Sequence, residues 1–292
     1  MTGLGSAPCL LFLLLLVACG SSDPTGSGGS GTLSFTTWGE DYIEQEIPVD
    51  PGDGSGFVDG WSVRYAKFLV NFQNIVVADA AGKLGAKMGG SKLFDNKLAD
   101  PKPIVDFPDL GAKAWPHVSY EIAPVTAATE LSDSVDPADK ALMLAGGYSL
   151  YVEGTARRDG IEKHFAWGFA QGTLYDACRS EQGGQHVEGI VVTNNATTNV
   201  ELTTHGDHLF YDRLQASPDP NVKTSLRFDA IAEADRDEDD QVSLEELNAV
   251  LLDVRRYNPS GLGAATLGAF VTSLARTIGH FRGEGECTIS KL

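Results

Sequence analysis

The chain has 292 residues, 42% of them hydrophobic and 9% aromatic, which is the composition of a globular protein with a substantial core. Its formal net charge is -18 at pH 7, and this excess of acidic groups argues against a nucleic-acid partner, because the phosphates would be repelled. The same charge favours cations or basic molecules as partners.

The N-terminal segment predicts an export signal with a lipid anchor. Residues 10–17 form a nearly continuous apolar run that is too short to span a bilayer but fits the hydrophobic part of a signal peptide. The run ends in Leu16-Val17-Ala18-Cys19-Gly20, which resembles the lipobox of bacterial lipoproteins. The resemblance implies a signal peptide over residues 1–18 and a lipidated Cys19, and several acyl chains hold a protein stably on a membrane. Residues 1–8 depart from the pattern, since they contain no Lys or Arg.

The residues after Cys19 indicate where the anchored chain would reside. Residue 20 is not aspartate, and in the lipoprotein family this favours the outer membrane of Gram-negative cells. We therefore expect an exported chain that faces the periplasm or the cell surface. Residues 19–32, rich in Gly and Ser, predict a flexible linker between the anchor and the folded part of the chain.

Residues 33–215 predict an antiparallel β domain, because short stretches of period-two alternation are separated by turn residues. The many short strands favour a β-sandwich. The clearest hairpin turns at Asp159-Gly160, which suit the positive φ angles of a type I′ turn, and another is expected across Asn194-Asn195. Between residues 61 and 77 the apolar positions change parity twice, which predicts two bulges or bends. Residues 81–103 show no periodicity and predict an exposed excursion.

Two cysteines follow residue 19, Cys178 and Cys287. Two cysteines in an exported protein usually pair, so we expect a disulfide that ties the C-terminal tail to the β domain. In the chain-entropy model such a bond contributes on the order of 4 kcal/mol to the free energy of unfolding.

The clearest candidate binding site is the stretch Asp235-Arg236-Asp237-Glu238-Asp239-Asp240-Gln241-Val242-Ser243-Leu244-Glu245-Glu246. Carboxylates stand at its positions one, three, five and twelve, and a hydroxyl stands at position nine. Oxygen ligands at this spacing suit calcium, and the stretch resembles an EF-hand loop. The resemblance implies six ligands, the last of them bidentate: Asp235, Asp237, Asp239, the carbonyl of Gln241, Ser243 directly or through water, and Glu246.

Position six departs from the EF-hand pattern, because Asp240 stands where the family has glycine at a positive φ angle. Aspartate adopts this conformation at a cost of roughly 1 to 2 kcal/mol relative to glycine. We therefore expect calcium binding to be retained but weakened.

Residues 216–292 are expected to form a helical segment around the loop. Apolar residues at helical spacing predict an entry helix over residues 225–234, an exit helix whose stripe extends to Leu251, and a covering helix over residues 264–280. The predicted fold class is therefore α+β, an antiparallel β-sandwich-like domain followed by a helical segment that contains one EF-hand helix-loop-helix.

A second constellation contains His205 and His208, with carboxylates nearby in the sequence. These residue types ligate copper or zinc. In a continuing strand the two side chains would point to opposite faces, so a shared metal requires a turn or helix that begins near Gly206. The alternative is that the histidines only hold the corner between a strand and a helix.

No catalytic motif stands out, since the chain has no Gly-x-Ser-x-Gly, no His-Glu-x-x-His and no phosphate loop, and we do not expect an enzyme. Three functions stay open. The chain is an exported, lipid-anchored calcium-binding protein whose ion locks the C-terminal helices to the β domain, or a periplasmic copper- or zinc-binding protein that uses His205 and His208, or a surface ligand-binding or adhesion module. An exposed aromatic patch around Trp38 and Trp61 would favour the third.

Overall fold

The computed structural model describes residues 28–214, 221–260 and 263–292. The predicted signal peptide, Cys19 and most of the predicted linker lie outside the described residues. Within the described ranges the chain is mostly β-strand with short helices, and this confirms the β-rich fold expected from the sequence.

The strands are numbered in chain order. Those up to the middle of the chain are β1 (Ser30–Gly39), β2 (Ser62–Ala78), β3 (Leu84–Lys87), β4 (Ser91–Asp95), β5 (Lys102–Gly111), β6 (Ala114–Trp115), β7 (His117–Ile122), β8 (Glu130–Leu131) and β9 (Leu150–Arg158). Those that follow are β10 (Ile161–Phe169), β11 (Thr173–Gln182), β12 (Gln185–Glu188), β13 (Ile190–Val191), β14 (Thr197–Thr204), β15 (Gln241–Val242), β16 (Gly279–Phe281) and β17 (Glu286–Lys291).

The helices are all short. They are α1 (Asp41–Glu44), α2 (Pro137–Gly146), α3 (Asp229–Ala232), α4 (Leu244–Ala249) and α5 (Leu267–Leu274), and a 3₁₀ turn covers Asp207–Phe210. In the part of the chain that the structure describes, no helix has the length and apolarity needed to cross a membrane.

Two sheets carry most of the strands. The larger runs β12-β11-β7-β2-β9-β10-β15, with β3, β4, β8 and β17 attached beside this path. The smaller runs β16-β14-β1-β5, and β6 pairs separately with β13. The parallel pairs are β1 with β14, β10 with β15 and β4 with β8, and the other pairs are antiparallel. Apolar residues of both sheets meet in one buried core, which makes the fold sandwich-like, as predicted.

An aromatic cluster in this core lies under both candidate sites. The ring centroid of Phe165, in β10, lies 6.0 Å from that of Phe210 and 6.3 Å from that of Phe228. Phe210 ends the 3₁₀ turn that contains His208, and Phe228 directly precedes α3 and the acidic loop. All three rings are buried, so the two candidate sites are positioned by the same packed aromatic rings.

The long strand β2 contains both irregularities expected from its sequence. Its register against β9 shifts between Tyr65 and Lys67, and its register against β7 shifts between Gln73 and Val76. Asn74, inside the second shift, has a φ angle of 50°. Each extra residue reverses which parity faces the core, so apolar side chains of both parities are buried in one strand.

The hairpin of β9 and β10 is also confirmed. Asp159 and Gly160 have φ angles of 50° and 83°, as a type I′ turn requires, and the pairing continues without a shift from Ile161 opposite Arg158 to Phe169 opposite Leu150. This regular hairpin is the support on which the acidic loop rests.

Two predictions for the β domain are wrong. Residues 81–103 are not an exposed excursion, because β3 and β4 pair with β2, and Leu93 and Phe94 are fully buried. The hairpin expected across Asn194-Asn195 does not form, since β13 pairs with β6 and β14 pairs in parallel with β1. β13 and β14 are held by partners distant in sequence, which local alternation cannot indicate, whereas β3 follows β2 directly as a hairpin.

The C-terminal helices are shorter than predicted. Residues 225–234 contain only the four-residue α3, and the covering helix is only α5. The exit helix ends at Ala249, because Val250 is extended and Leu251 forms a β-bridge with Thr266, which leaves Leu251 79% exposed. The same segment also supplies β15, β16 and β17 to the two sheets, so it is built into the β domain by strand pairing.

The expected disulfide is present between Cys178 of β11 and Cys287 beside it in β17, with an S–S distance of 2.07 Å. It closes a loop of 109 residues. The C-terminal strand is thus attached to the larger sheet covalently as well as by backbone hydrogen bonds.

Candidate metal centres

The acidic loop, residues 235–246, lies against the hairpin strand β10. The backbone N–H of His164 donates to the carbonyl of Asp240 over 2.8 Å. The indole N–H of Trp167 donates to the carbonyl of Val242, also over 2.8 Å. Val242, at position eight of the loop, is 1% exposed and lies opposite Phe165 in the register of β15 with β10. These contacts fasten the loop to the larger sheet.

Three carboxylates of the loop converge. Asp235, Asp237 and Glu246 each offer an oxygen, and the three oxygens lie within 4.8 Å of one another. Asp239 is not part of this group, and its Oδ1 accepts the backbone N–H of Gln241 over 2.7 Å. The structure therefore brings together the predicted ligands at positions one, three and twelve.

The two oxygens of Asp235 have different surroundings. Oδ2 accepts hydrogen bonds from Lys163 Nζ over 2.6 Å and from the backbone N–H of Asp240 over 3.1 Å. Oδ1 is buried and has no hydrogen-bond partner within the described ranges. The hydrogen bond from Lys163 holds the pKa of Asp235 below its ordinary value, so the carboxylate is ionised at neutral pH. A buried ionised oxygen without a partner is costly, and a cation beside Asp237 and Glu246 would remove that cost.

The net charge of the segment around the acidic loop also favours a bound cation. Residues 229–246 contain nine acids and one base. The cost of desolvation and the neighbouring carboxylate of Asp239 raise the pKa of Asp237 above its ordinary value, as expected when like charges are crowded together. A bound cation relieves this repulsion.

Lys163 connects two positions of the loop to β10. Besides Asp235, its Nζ lies 2.7 Å from Oδ1 of Asp240. Asp240 has a φ angle of 63°, the conformation in which the EF-hand pattern has glycine. The lysine thus joins positions one and six of the loop, and it holds one oxygen of Asp235 while leaving the other free.

Glu246 is oriented by a capping box at the start of α4. The backbone N–H and the hydroxyl of Ser243 donate to Oε2 of Glu246 over 2.8 and 2.9 Å, and the backbone N–H of Glu246 donates to Oγ of Ser243 over 3.2 Å. Ser243 therefore serves as the helix N-cap, and it directs the glutamate toward the other two carboxylates.

Lys163 is a site residue that the sequence analysis did not single out. It lies in β10 at the same parity as Phe165 and Trp167, which are buried. The sequence could have indicated Lys163, because a charged residue within an otherwise apolar alternating series usually has a specific partner.

The second candidate site forms where the chain turns after β14. The 3₁₀ turn that begins at Asp207 brings the ring centroid of His208 to 5.2 Å from that of His205. A third histidine, His280 of β16, was not part of the predicted site. Since β16 pairs with β14, the ring centroid of His280 lies 4.0 Å from that of His205 and 5.1 Å from that of His208.

These three residues form what we call the histidine cluster: His205, His208 and His280. One nitrogen from each ring lies within 4.8 Å of the other two, and His205 forms a second such group with Glu40 and Glu284. His205 and His208 are 5% and 9% exposed. His280 and both glutamates were left out of the predicted site because no local pattern relates them to His205, and His280 could join it only through the fold.

Burial and the Glu40 carboxylate together determine the protonation of the histidine cluster. It lowers the pKa of His208 well below its ordinary value and, together with the neighbouring His205, lowers the pKa of His280 to about 3. Burial would also lower the pKa of His205, but the Glu40 carboxylate outweighs it and the pKa is raised. His208 and His280 are therefore neutral at pH 7, with a nitrogen lone pair available to a metal.

Trp38 and Trp61 do not form an exposed aromatic patch. Trp61 is 1% exposed, and its indole N–H donates to Asp229 over 3.0 Å. Trp38 is half-buried, and its indole N–H donates to Glu44 over 2.6 Å. The feature that would favour an adhesion module is therefore missing at these two residues.

Comparisons with protein-family models, with curated proteins and with solved structures find no match to this chain.

Proposed function

We propose that the chain is an exported, lipid-anchored calcium-binding protein in which one ion, held by the EF-hand-like loop at residues 235–246, locks the C-terminal segment to the β domain. Two observations carry the proposal: the buried Oδ1 of Asp235 has no hydrogen-bond partner in the described parts of the chain, and one oxygen of Asp235 lies within 4.8 Å of an oxygen of Asp237 and of Glu246.

Calcium is the ion that this ligand chemistry favours. Calcium takes six to eight oxygen ligands in flexible geometry, whereas magnesium requires a near-ideal octahedron and keeps several waters. The loop offers carboxylates from Asp235, Asp237 and Glu246, and the carbonyl of Gln241 and the side chain of Asp239 follow the same spacing. An ion bound there stabilises the folded state, because the unfolded chain lacks the arranged ligands.

The proposed location has separate support. The lipobox-like sequence at Cys19 would hold the protein on a membrane, and the Cys178–Cys287 disulfide belongs in an oxidising compartment such as the periplasm. Free calcium outside the cytoplasm would then keep the loop occupied and the C-terminal segment fixed.

Isothermal titration of chelator-treated protein with calcium tests the proposal. We expect one ion per chain in the unchanged protein, and no binding in Glu246→Gln, which loses a charged ligand but keeps the side-chain type that a capping box accepts. Glu245→Gln is the matched control, because it removes the same charge from the exposed neighbouring residue. Absence of calcium binding, or equal loss in the two variants, would contradict the proposal.

A further inference from the structure

The histidine cluster contains buried nitrogens that lack hydrogen-bond partners. Nδ1 of His280 and Nε2 of His205 are both of this kind within the described ranges. Nε2 of His205 has a charged neighbour, since it lies 2.6 Å from Oε1 of Glu40. Buried polar atoms are normally satisfied, so the unpartnered Nδ1 of His280, on a ring beside those of His205 and His208, indicates a missing ligand.

The third histidine is held in a defined tautomer. The hydroxyl of Thr277 donates its single proton to the carbonyl of Leu274 over 2.8 Å. Oγ1 of Thr277 also lies 3.0 Å from Nδ1 of His208, and it must therefore accept the proton of that nitrogen. The lone pair of His208 is consequently on Nε2. Metal-binding histidines are typically oriented in this way, by donating the other ring N–H to a neighbouring acceptor.

Stacked tyrosines support the strand that carries His280. The rings of Tyr120 and Tyr175 are stacked with centroids 4.6 Å apart and planes at 3°. The hydroxyl of Tyr120 donates to the carbonyl of His280 over 3.4 Å, and the hydroxyl of Tyr175 accepts the backbone N–H of Gly279 over 3.3 Å. The position of His280 is thus fixed by the core of the larger sheet, although its strand belongs to the smaller one.

We propose that His205, His208 and His280 bind one divalent transition-metal ion, zinc or copper, with Glu40 or Glu284 available as a further ligand. The site is separate from the calcium loop in both residues and ligand chemistry, and the inference does not rest on the proposed function. Neutral imidazole nitrogens suit zinc and copper, whereas calcium prefers oxygen. Three histidines and one further ligand are a common zinc set.

The test is an isothermal calorimetric titration of chelator-treated protein with zinc chloride. We expect one zinc ion per chain in the unchanged protein, and affinity at least about 100-fold lower in His205→Gln and in His280→Gln. His117→Gln is the control, since His117 is an exposed histidine on β7, and its zinc affinity should be unchanged. Thr277→Val should weaken binding by about 10- to 100-fold although Thr277 is not a ligand, because the tautomer of His208 is then no longer fixed.

A second measurement does not depend on any variant folding correctly. Copper(II) added to the unchanged protein should give an electron paramagnetic resonance spectrum with hyperfine coupling to imidazole nitrogens.

Zinc binding should also persist in Glu246→Gln, which distinguishes this site from the calcium loop. Absence of zinc binding, a copper spectrum without nitrogen coupling, or undiminished affinity in His280→Gln would overturn the proposal.

Discussion

Nζ of Lys163 lies 2.6 Å from Oδ2 of Asp235, so a strand of the larger sheet contacts the first carboxylate of the acidic loop directly. The lysine side chain is 15% exposed and that of the aspartate is fully buried. This ion pair fixes the orientation of the carboxylate, and Oδ1 is left for an ion. It also places a positive charge beside the proposed calcium position.

Lys163→Met should make the protein more dependent on calcium. Without the lysine, Asp235 keeps a buried charge with fewer partners, and we expect the calcium-free protein to lose on the order of 1 to 3 kcal/mol of free energy of unfolding. Calcium supplies the missing positive charge, so the rise in melting temperature on adding calcium should be larger than in the unchanged protein.

Lys67→Met controls for the loss of an ion pair elsewhere. Lys67 pairs with Asp139 of α2, away from the loop, and its loss should leave the calcium-dependent rise unchanged. A rise in Lys163→Met that is equal to or smaller than that of the unchanged protein would show that the lysine does not compensate the charge of the site.

Hydrogen exchange should detect the locking of the loop. The backbone N–H of His164 is bonded to the carbonyl of Asp240, and its exchange requires the loop to leave β10. If opening requires release of the ion, calcium at about 100 times Kd should slow this exchange by up to about 100-fold. The backbone N–H of Asn71, bonded to Ser149 in a distant part of the sheet, is the internal reference. Equal slowing of both amides would indicate global stabilisation without local locking.

Reduction of the disulfide should lower the stability of the whole domain. Cys178–Cys287 closes a loop of 109 residues, for which the chain-entropy model gives about 4 to 5 kcal/mol. We expect a clearly lower urea midpoint in the presence of reductant. The double variant Cys178→Ser and Cys287→Ser should show the lower midpoint with or without reductant. If reductant does not change the urea midpoint of the unchanged protein, this prediction about the disulfide is contradicted.

Gly206→Ala should disturb the histidine cluster selectively. A Cβ at Gly206 would lie 2.6 Å from Ile43 and 2.7 Å from the ring of Tyr65, whose hydroxyl donates to the Gly206 carbonyl over 2.6 Å. Overpacking of this kind costs about 1 to 3 kcal/mol, and the shifted turn should weaken zinc binding but not calcium binding. In Gly89→Ala, where a Cβ meets no atom within 4 Å, neither should change. Undiminished zinc affinity in Gly206→Ala would show that the turn at Gly206 does not position the zinc ligands.

The sequence predicted the parts of the fold that depend on local pattern. The β9–β10 hairpin followed from Asp159-Gly160, and the two irregularities of β2 followed from its changes of parity. The parallel pairing of β14 with β1, and the pairing of the C-terminal strands with both sheets, depend on contacts between distant segments. Local periodicity does not contain that information.

In the candidate sites, too, local sequence predicted some residues, and only the fold brings the others into place. The acidic loop was visible because its ligands are contiguous in the sequence, whereas Lys163 contacts it across 72 positions. His205 and His208 are close in the chain, but the turn that joins their rings and the strand that supplies His280 are consequences of the fold. The lengths of the C-terminal helices were overestimated because apolar residues at helical spacing also serve β-bridges, as at Leu251.

The most direct test of the calcium lock is thermal unfolding of the purified protein with calcium and with chelator, beside Glu246→Gln and Glu245→Gln. At calcium near 100 times Kd the ion should add about 2.7 kcal/mol to the free energy of unfolding, which corresponds to a rise in Tm of about 5 to 10 °C. We expect this rise in the unchanged protein and in Glu245→Gln, and none in Glu246→Gln. An unchanged Tm in the unmodified protein, or an equal rise in all three, would contradict the proposal that calcium at this loop holds the C-terminal segment to the β domain.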